Sequence, residues 1–408
     1  MLALVGALVA AALWYGGWPG IQRDGTVTVA TIFELLKLVF AVVAGIGGVA
    51  ALVVAYRRQR VAEHTNALAE FAHQLAHTAD LRAEVTKALA EAADERAKIE
   101  TDRNGIRLFN ERFAKASEQL GSEKAAVRLA GVYAMAGLAD DWREGRQTCI
   151  DVLCAYLRMP YDPPEARSEA PTPANEQILT VDVESDRRAR EEREVRHTVI
   201  RLIGRHLRLG IEDAASWGGF DFDFTGAVLD GGDFSRVTFS GGRVSFDGVR
   251  FSGGRVSFLA ARFTGGDVSF NRATFTDGEV SFSHAQFSGG DVSFERAGFS
   301  GGRVSFIGAR FSDGEVFFGG ATFSAGEVSF NRAWFSGGLV YFGGETSGDE
   351  ATFIGGRVSF RRARFDGGEV SLEGAAFKVP PTFDTWPNGI PPHGLSLPEG
   401  ERGQMVGR

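Results

Sequence analysis

Three hydrophobic rhythms succeed one another along the chain, and each predicts a different kind of element. The first is continuous. No charge occurs from Met1 to Gln22, and "LALVGALVAAALWYGGW" is apolar enough to cross a bilayer as a helix. Trp14, Tyr15 and Trp18 close this run where a cleaved signal peptide would carry small residues, so they read as an interfacial belt. A second run follows "IQRDGTVTVAT", with Glu34 and Lys37 at its edge and no charge from Leu38 to Tyr56. At a helix rise of ~1.5 Å per residue it spans about 28 Å, close to the hydrocarbon thickness. "AGIGG" (Ala44 to Gly48) offers small residues for packing against the first helix, so a two-helix membrane hairpin is expected over 1–56.

The second rhythm is helical. From Val61 to about Thr101 there is neither Pro nor Gly, and Leu68, Phe71, Leu75, Val85, Leu89 and Ala92 recur at threes, fours or their sums. This predicts an amphipathic juxtamembrane helix over 57–103, a coiled-coil candidate whose heptads are not sustained well enough to assign a dimer. A helical domain over 104–160 follows in three helices, with Gly121-Ser122 ending the first and "DDWREGRQ" separating the second from the third. Pro160 to Pro173 holds five Pro and predicts a linker over 161–185. An amphipathic helix over 186–210 comes next, with Val195, Val199, Leu202, Ile203 and Leu207 on one side; it is expected to cap the repeats, with Trp217 as a lid.

The third rhythm alternates five and seven. Phe246, Phe251, Phe258, Phe263, Phe270, Phe275, Phe282 and Phe287 mark a twelve-residue unit, "VSFxxAxFSGGx", repeated eleven times from Phe246 to Leu372. A fixed period of this kind is a solenoid signature. Within "VSF" and "AxF" the residues alternate, so Val, Ala and Phe point inward while Ser and the variable residues point out. Paired glycines supply the corner. A coil of 24 residues competes with one of twelve. Signs at positions 243, 255, 267, 279, 291, 303, 315 and 327 are opposite in four of six pairs at i+24 and three of seven at i+12, which leans toward 24. Glu345 to Glu350 interrupts the pattern and is expected to leave it as an acidic loop; after Phe377 the repeats stop, and 379–408 reads as a disordered tail.

Composition sharpens this picture at one point. Of 33 Phe, 27 lie between Phe220 and Phe377, so the aromatic excess fills a single repeated slot. The net charge of −8 over 408 residues implies solubility rather than a particular partner. Arg57, Arg58 and Arg60 directly follow the second apolar run, which by the positive-inside rule puts that end in the cytoplasm. With two crossings, the N-terminus is cytoplasmic as well, and the protein is a multi-pass cell-membrane protein.

Two of these segments carry a resemblance. The stretch "ERFAKASEQLGSEKAAVRLAGVYAMAGLADDW" with "TCIDVLCAYLR", followed by small-x-Phe-x-x repeats with two extra residues at every second corner, resembles actinobacterial membrane-anchored pentapeptide-repeat proteins. The resemblance implies a right-handed, four-sided parallel β-helix over 218–378.

Candidate chemistry is sparse. Cys149 and Cys154 read as buried core thiols. His64, His73 and His77 lie on the juxtamembrane helix, the last two at metal-binding spacing but without a completing acid or Cys. Asp140-Asp141 invites an acid/base role, but a solvent-exposed acidic helix end is the better reading, with no His or nucleophile beside it in sequence. No nucleophile elbow, phosphate loop or metal cluster occurs, so no catalytic, cofactor or metal residue is assigned and an enzyme is the least favoured class. A DNA-mimicking topoisomerase binder needs a strongly negative surface, whereas Phe220 to Phe377 has 19 Asp+Glu against 14 Lys+Arg. The favoured expectation is a membrane-tethered cytoplasmic scaffold that binds an unknown protein partner, with no direct contact to nucleic acid.

Overall fold

The computed structural model describes residues 6–7, 10–11, 14, 29–164, 176–344 and 349–398. It divides into two compact units, Met1–Glu100 and Thr101–Arg408. Most of the first predicted membrane helix, the Pro-rich segment from 165 to 175, residues 345–348 of the acidic insertion and residues 399–408 of the tail lie outside the described residues. The rest of the expected disordered tail is instead packed on the last coil, where Phe383 stacks on Phe360 and Leu395 pairs with Val370.

The second apolar run, the juxtamembrane helix and the first helix of the helical domain form one element, α1 (Val29–Leu120). No Pro interrupts these 92 residues, and Gly45, Gly47, Gly48 and Gly105 each cost a helix only about 1 kcal/mol, so nothing local stops it before Gly121. Among the described residues this is the one helix long and apolar enough to cross a membrane. One helix, rather than a hairpin, is therefore what the described residues contain.

Three further helices follow: α2 (Ala125–Asp141), α3 (Arg146–Arg158) and α4 (Glu176–Leu207). The last begins ten residues before the expected start at 186. Val132, Met135, Leu138, Ile150, Leu153, Val195, Val199 and Ile203 are all buried, and their core is continuous with that of the repeats. Helix α4 lies on the first coil, where Gly204 approaches the chain so closely that a Cβ would stand 2.6 Å from the Asp233 carbonyl oxygen. Trp217 is fully buried, as a lid should be.

The repeats form a parallel β-solenoid of about seven turns. Its register fixes the coil: Arg303 pairs with Glu327, Val304 with Val328 and Ser305 with Ser329, so neighbouring coils are 24 residues apart. Across the insertion the offset becomes 30, as in Glu327 with Arg357, so the extra six residues leave the ladder without shifting it. The strands fall into two parallel sheets. Phe239, Phe263, Phe287 and Phe311 lie along one and Phe251, Phe275, Phe299 and Phe323 along the other, with a row of Val in each.

The rings explain why Phe recurs. Phe246, Phe270 and Phe294 stack at centroid distances of 4.7 and 4.8 Å with their planes within 5°. That is the strand spacing itself, so each ring sits on its equivalent one coil away. Phe258 and Phe282 come from the opposite ladder and meet Phe270 edge-on at 5.8 and 5.5 Å. Ala261, Ala273 and Ala285 are buried beside them, in the slot that Val237 and Val249 fill in the first units. At the corner, Gly278 has φ +74°, and a Cβ there would lie 2.3 Å from the Gly254 carbonyl oxygen. The opposite corner is different: Ala260, Arg272, His284 and Arg296 adopt φ of 54–58° without being glycine.

Candidate functional site

Two places gather side chains beyond what the fold needs: the junction of helices and first coil, and one face of the solenoid. At the junction, two buried arginines cap helix ends. Arg146 donates to the carbonyls of Ala139 and Asp140 at the end of α2, and to those of Ala214 and Ser216. Arg196 donates to Tyr156 and Leu157 at the end of α3 and to Val228 of the first coil, with its guanidinium 4.4 Å from the Tyr161 ring centroid. Carbonyls at a helix C-terminus lack intrahelical partners and carry partial negative charge, so a buried cation is favourable there. Burial pushes the Arg196 pKa down, though nearby Glu192 opposes this.

Two aspartates complete the junction. Asp230, on the first coil, is buried and accepts from Tyr161 Oη at 2.9 Å and pairs with His197 Nε2 at 3.0 Å and Arg193 Nε at 3.0 Å. Burial pushes its carboxyl up, but the hydrogen bonds from His197 and Tyr161 and the charges of His197 and Arg193 outweigh it and hold it below the ordinary range. Asp140 accepts from Trp217 Nε1 at 3.1 Å and meets His206 Nε2 at 3.0 Å, while the His206 and Trp217 rings stack at 4.1 Å.

This corrects the reading of Asp140-Asp141 as a solvent-exposed pair without a histidine. Asp140 is half-buried against His206, which is 66 residues away in sequence and hence invisible to spacing. Asp141 is exposed and pairs with Arg112. Asp140 and His206 are a buried clasp: the other ring nitrogen, Nδ1, lies 2.7 Å from the Leu202 carbonyl, and Trp217 covers one ring face.

Cys149 and Cys154 are free and buried, and burial raises their thiols to about 11 and about 12, so both stay protonated at neutral pH. His64, His73 and His77 are exposed on α1. Among the described residues no group of three His, Cys, Asp or Glu is placed to hold a metal.

The solenoid face is where the 24-residue register acts on the outward positions. Along one corner row, Arg255, Glu279, Arg303, Glu327 and Arg357 alternate in sign, with contacts of 2.9 Å (Arg255–Glu279), 3.6 Å (Arg303–Glu327) and 3.8 Å (Arg357–Glu327). Asp267, Asp291, Glu315 and Glu369, all exposed and acidic, instead fall on the other corner row, which Arg243 opens and Leu339 interrupts. Beside them, on the same sheet, runs a row of Arg262, Gln286, Arg310, Trp334 and Arg364. Charge is therefore cancelled on one side of the solenoid and segregated into stripes on the other.

The aromatic departures from the repeat collect on that striped sheet. Where other units have Ser, two have Phe317 and Tyr341, and these are direct partners across adjacent coils. With Leu339, Arg272, Glu295 and Arg296 they line a cavity of about 560 Å³, and Arg296 is held by Asp349 at 2.8 Å. Trp334 is 36% exposed, with the Arg310 guanidinium 5.5 Å from its ring centroid. Sequence reasoning passed over these residues. The signal was present, since Phe317 and Tyr341 are the aromatic residues in the outward Ser slot, 24 apart, but only the register makes them neighbours.

Comparison with protein-family models, with characterised proteins and with solved structures finds no match to this chain.

Proposed function

We propose that this protein is a membrane-tethered scaffold of the pentapeptide-repeat kind, a right-handed and four-sided β-helix whose striped sheet binds a partner protein. One observation carries the reading. The outward aromatic departures, Phe317, Trp334 and Tyr341, sit on a single sheet beside the acidic and arginine rows, whereas the matching described positions on the other sheet hold no aromatic residue. Partly exposed aromatics next to Arg are the composition of protein-binding hot spots. The segment Leu38–Tyr56 supplies the tether, and Arg57, Arg58 and Arg60 keep the following domain on the cytoplasmic side. Arg262, Arg310 and Arg364 run in a row beside the acidic one, which weighs against mimicry of duplex DNA.

The test is affinity capture from membranes with the full chain and with a Trp334→Ala, Phe317→Ser, Tyr341→Ser variant. A partner retained by the parent and lost from the variant supports the reading; equal retention overturns the assigned face. Deleting the residues before Arg57 should release the protein from membranes, and continued membrane association of the truncated chain would refute the tether.

A further inference from the structure

The apolar stripe of α1 follows a seven-residue period, with nine of its fourteen a and d positions apolar and Arg82, Arg96, Arg103, His64 and Thr78 interrupting it. Written as a heptad, Val61, Leu68, Leu75, Arg82, Leu89, Arg96 and Arg103 occupy the a positions. His64, Phe71, Thr78, Val85, Ala92, Ile99 and Ile106 occupy d. An ideal straight helix drifts ~20° per heptad, so a stripe this long would wander by roughly 130° around a solitary helix. A seven-residue period stays on one side only if the helix supercoils around another. Yet the stripe is uncovered: Phe71 is 61% exposed and Leu89 66%.

The charges identify the occupant. Arg96 and Arg103 at a are each preceded by an acid at g, Glu95 and Asp102. Adjacent residues on one helix do not face each other, so neither arginine pairs with its own neighbour. In a parallel, in-register pair, the hole that receives an a residue includes the partner's preceding g residue. Arg96 then meets Glu95, and Arg103 meets Asp102, of a second copy. Leu at a with β-branched d residues leans toward more than two strands, but three arginines at a decide for two. A two-stranded seam lets their aliphatic stems pack while the heads reach water, and a four-stranded core does not.

We propose that α1 forms a parallel, in-register, two-stranded coiled coil with a second copy of this chain through residues 61–106. The seam is separate from the solenoid face proposed above, so either assignment can fail while the other stands. The test uses the full chain in detergent, with Leu75→Cys, Leu89→Cys and, as a control at the outer f position, Lys87→Cys. The native thiols at Cys149 and Cys154 are buried and do not compete. Mild oxidation should give disulfide-linked dimers for the two a-position variants at least tenfold faster than for the control. The unmodified protein should have the mass of a dimer. A monomer, equal crosslinking at all three positions, or species larger than a dimer would overturn the proposal. Arg96→Glu should weaken dimerisation roughly twofold to thirtyfold, the range of exposed ion pairs counted twice by symmetry. Adding Glu95→Arg should restore it, and absence of rescue would refute the in-register pairing.

Discussion

The helix over 61–106 and the solenoid over 222–377 both run on a fixed sequence period, yet only one of them finishes its own packing. In the solenoid each Phe meets its equivalent from the same chain one coil away, and Phe246, Phe258, Phe270 and Phe282 are all fully buried. Along α1 the equivalent of Leu68 is Leu75, on the same side of the same rod, and both remain exposed. A repeat buries its apolar face when the backbone folds back between units. A straight helix never folds back, so its repeat can be covered only from outside.

The sharpest way to break this comparison is to remove one residue from each repeat. Phe270→Ala empties a slot between two stacked rings and should cost about 3–5 kcal/mol. Leu89→Ala should change the stability of the solenoid and its helices by less than about 0.5 kcal/mol. Denaturant unfolding followed by circular dichroism compares them, and similar losses from both would erase the distinction.

Next in size is the junction, which replaces ring stacking by polar satisfaction. Asp230→Asn leaves Arg193 and His197 without their carboxylate and should cost about 2–4 kcal/mol at neutral pH. The native carboxyl is held below its ordinary pKa, so its stabilising share is complete above the unfolded value of about 3.9. That share is lost as the pH falls through the lower native value. The parent and variant should therefore converge in stability below about pH 4, and a gap that stays constant into acid would contradict the assignment.

Smaller effects separate the two corners of the coil. Ala260 has φ 54° where most residues are strained, and Ala260→Gly should stabilise the solenoid by about 0.5–1 kcal/mol. A loss of stability in thermal unfolding would show that the corner is not strained. The smallest change is expected on the neutralised row. Glu327 lies between Arg303 and Arg357, and Glu327→Gln should cost less than about 1 kcal/mol, falling further at high salt.

Much of the solenoid was legible from residue types alone. Val, Ala and Phe recur at inward positions because neighbours in a strand alternate sides, and Gly recurs where a Cβ would strike the preceding coil. The helix–coil junction was not legible. Asp140 and His206 each look unremarkable in sequence, and His197 gives no hint of Asp230, because nothing periodic links the helices to the first coil. The continuity of α1 was likewise missed, since a change from apolar to charged composition marks a change of surroundings and not of backbone.

The sequence by itself determined the period, the inward face and the corners, because these follow from local sterics and from the size of each side chain. Only the tertiary structure decided which charges become neighbours. Arg255 and Glu279 pair while Asp267 and Asp291 accumulate, and Phe317 comes to lie beside Tyr341. Those adjacencies depend on how many residues complete one turn. That number is set when the coil closes on its predecessor, a condition on the whole circuit and not on any segment of it.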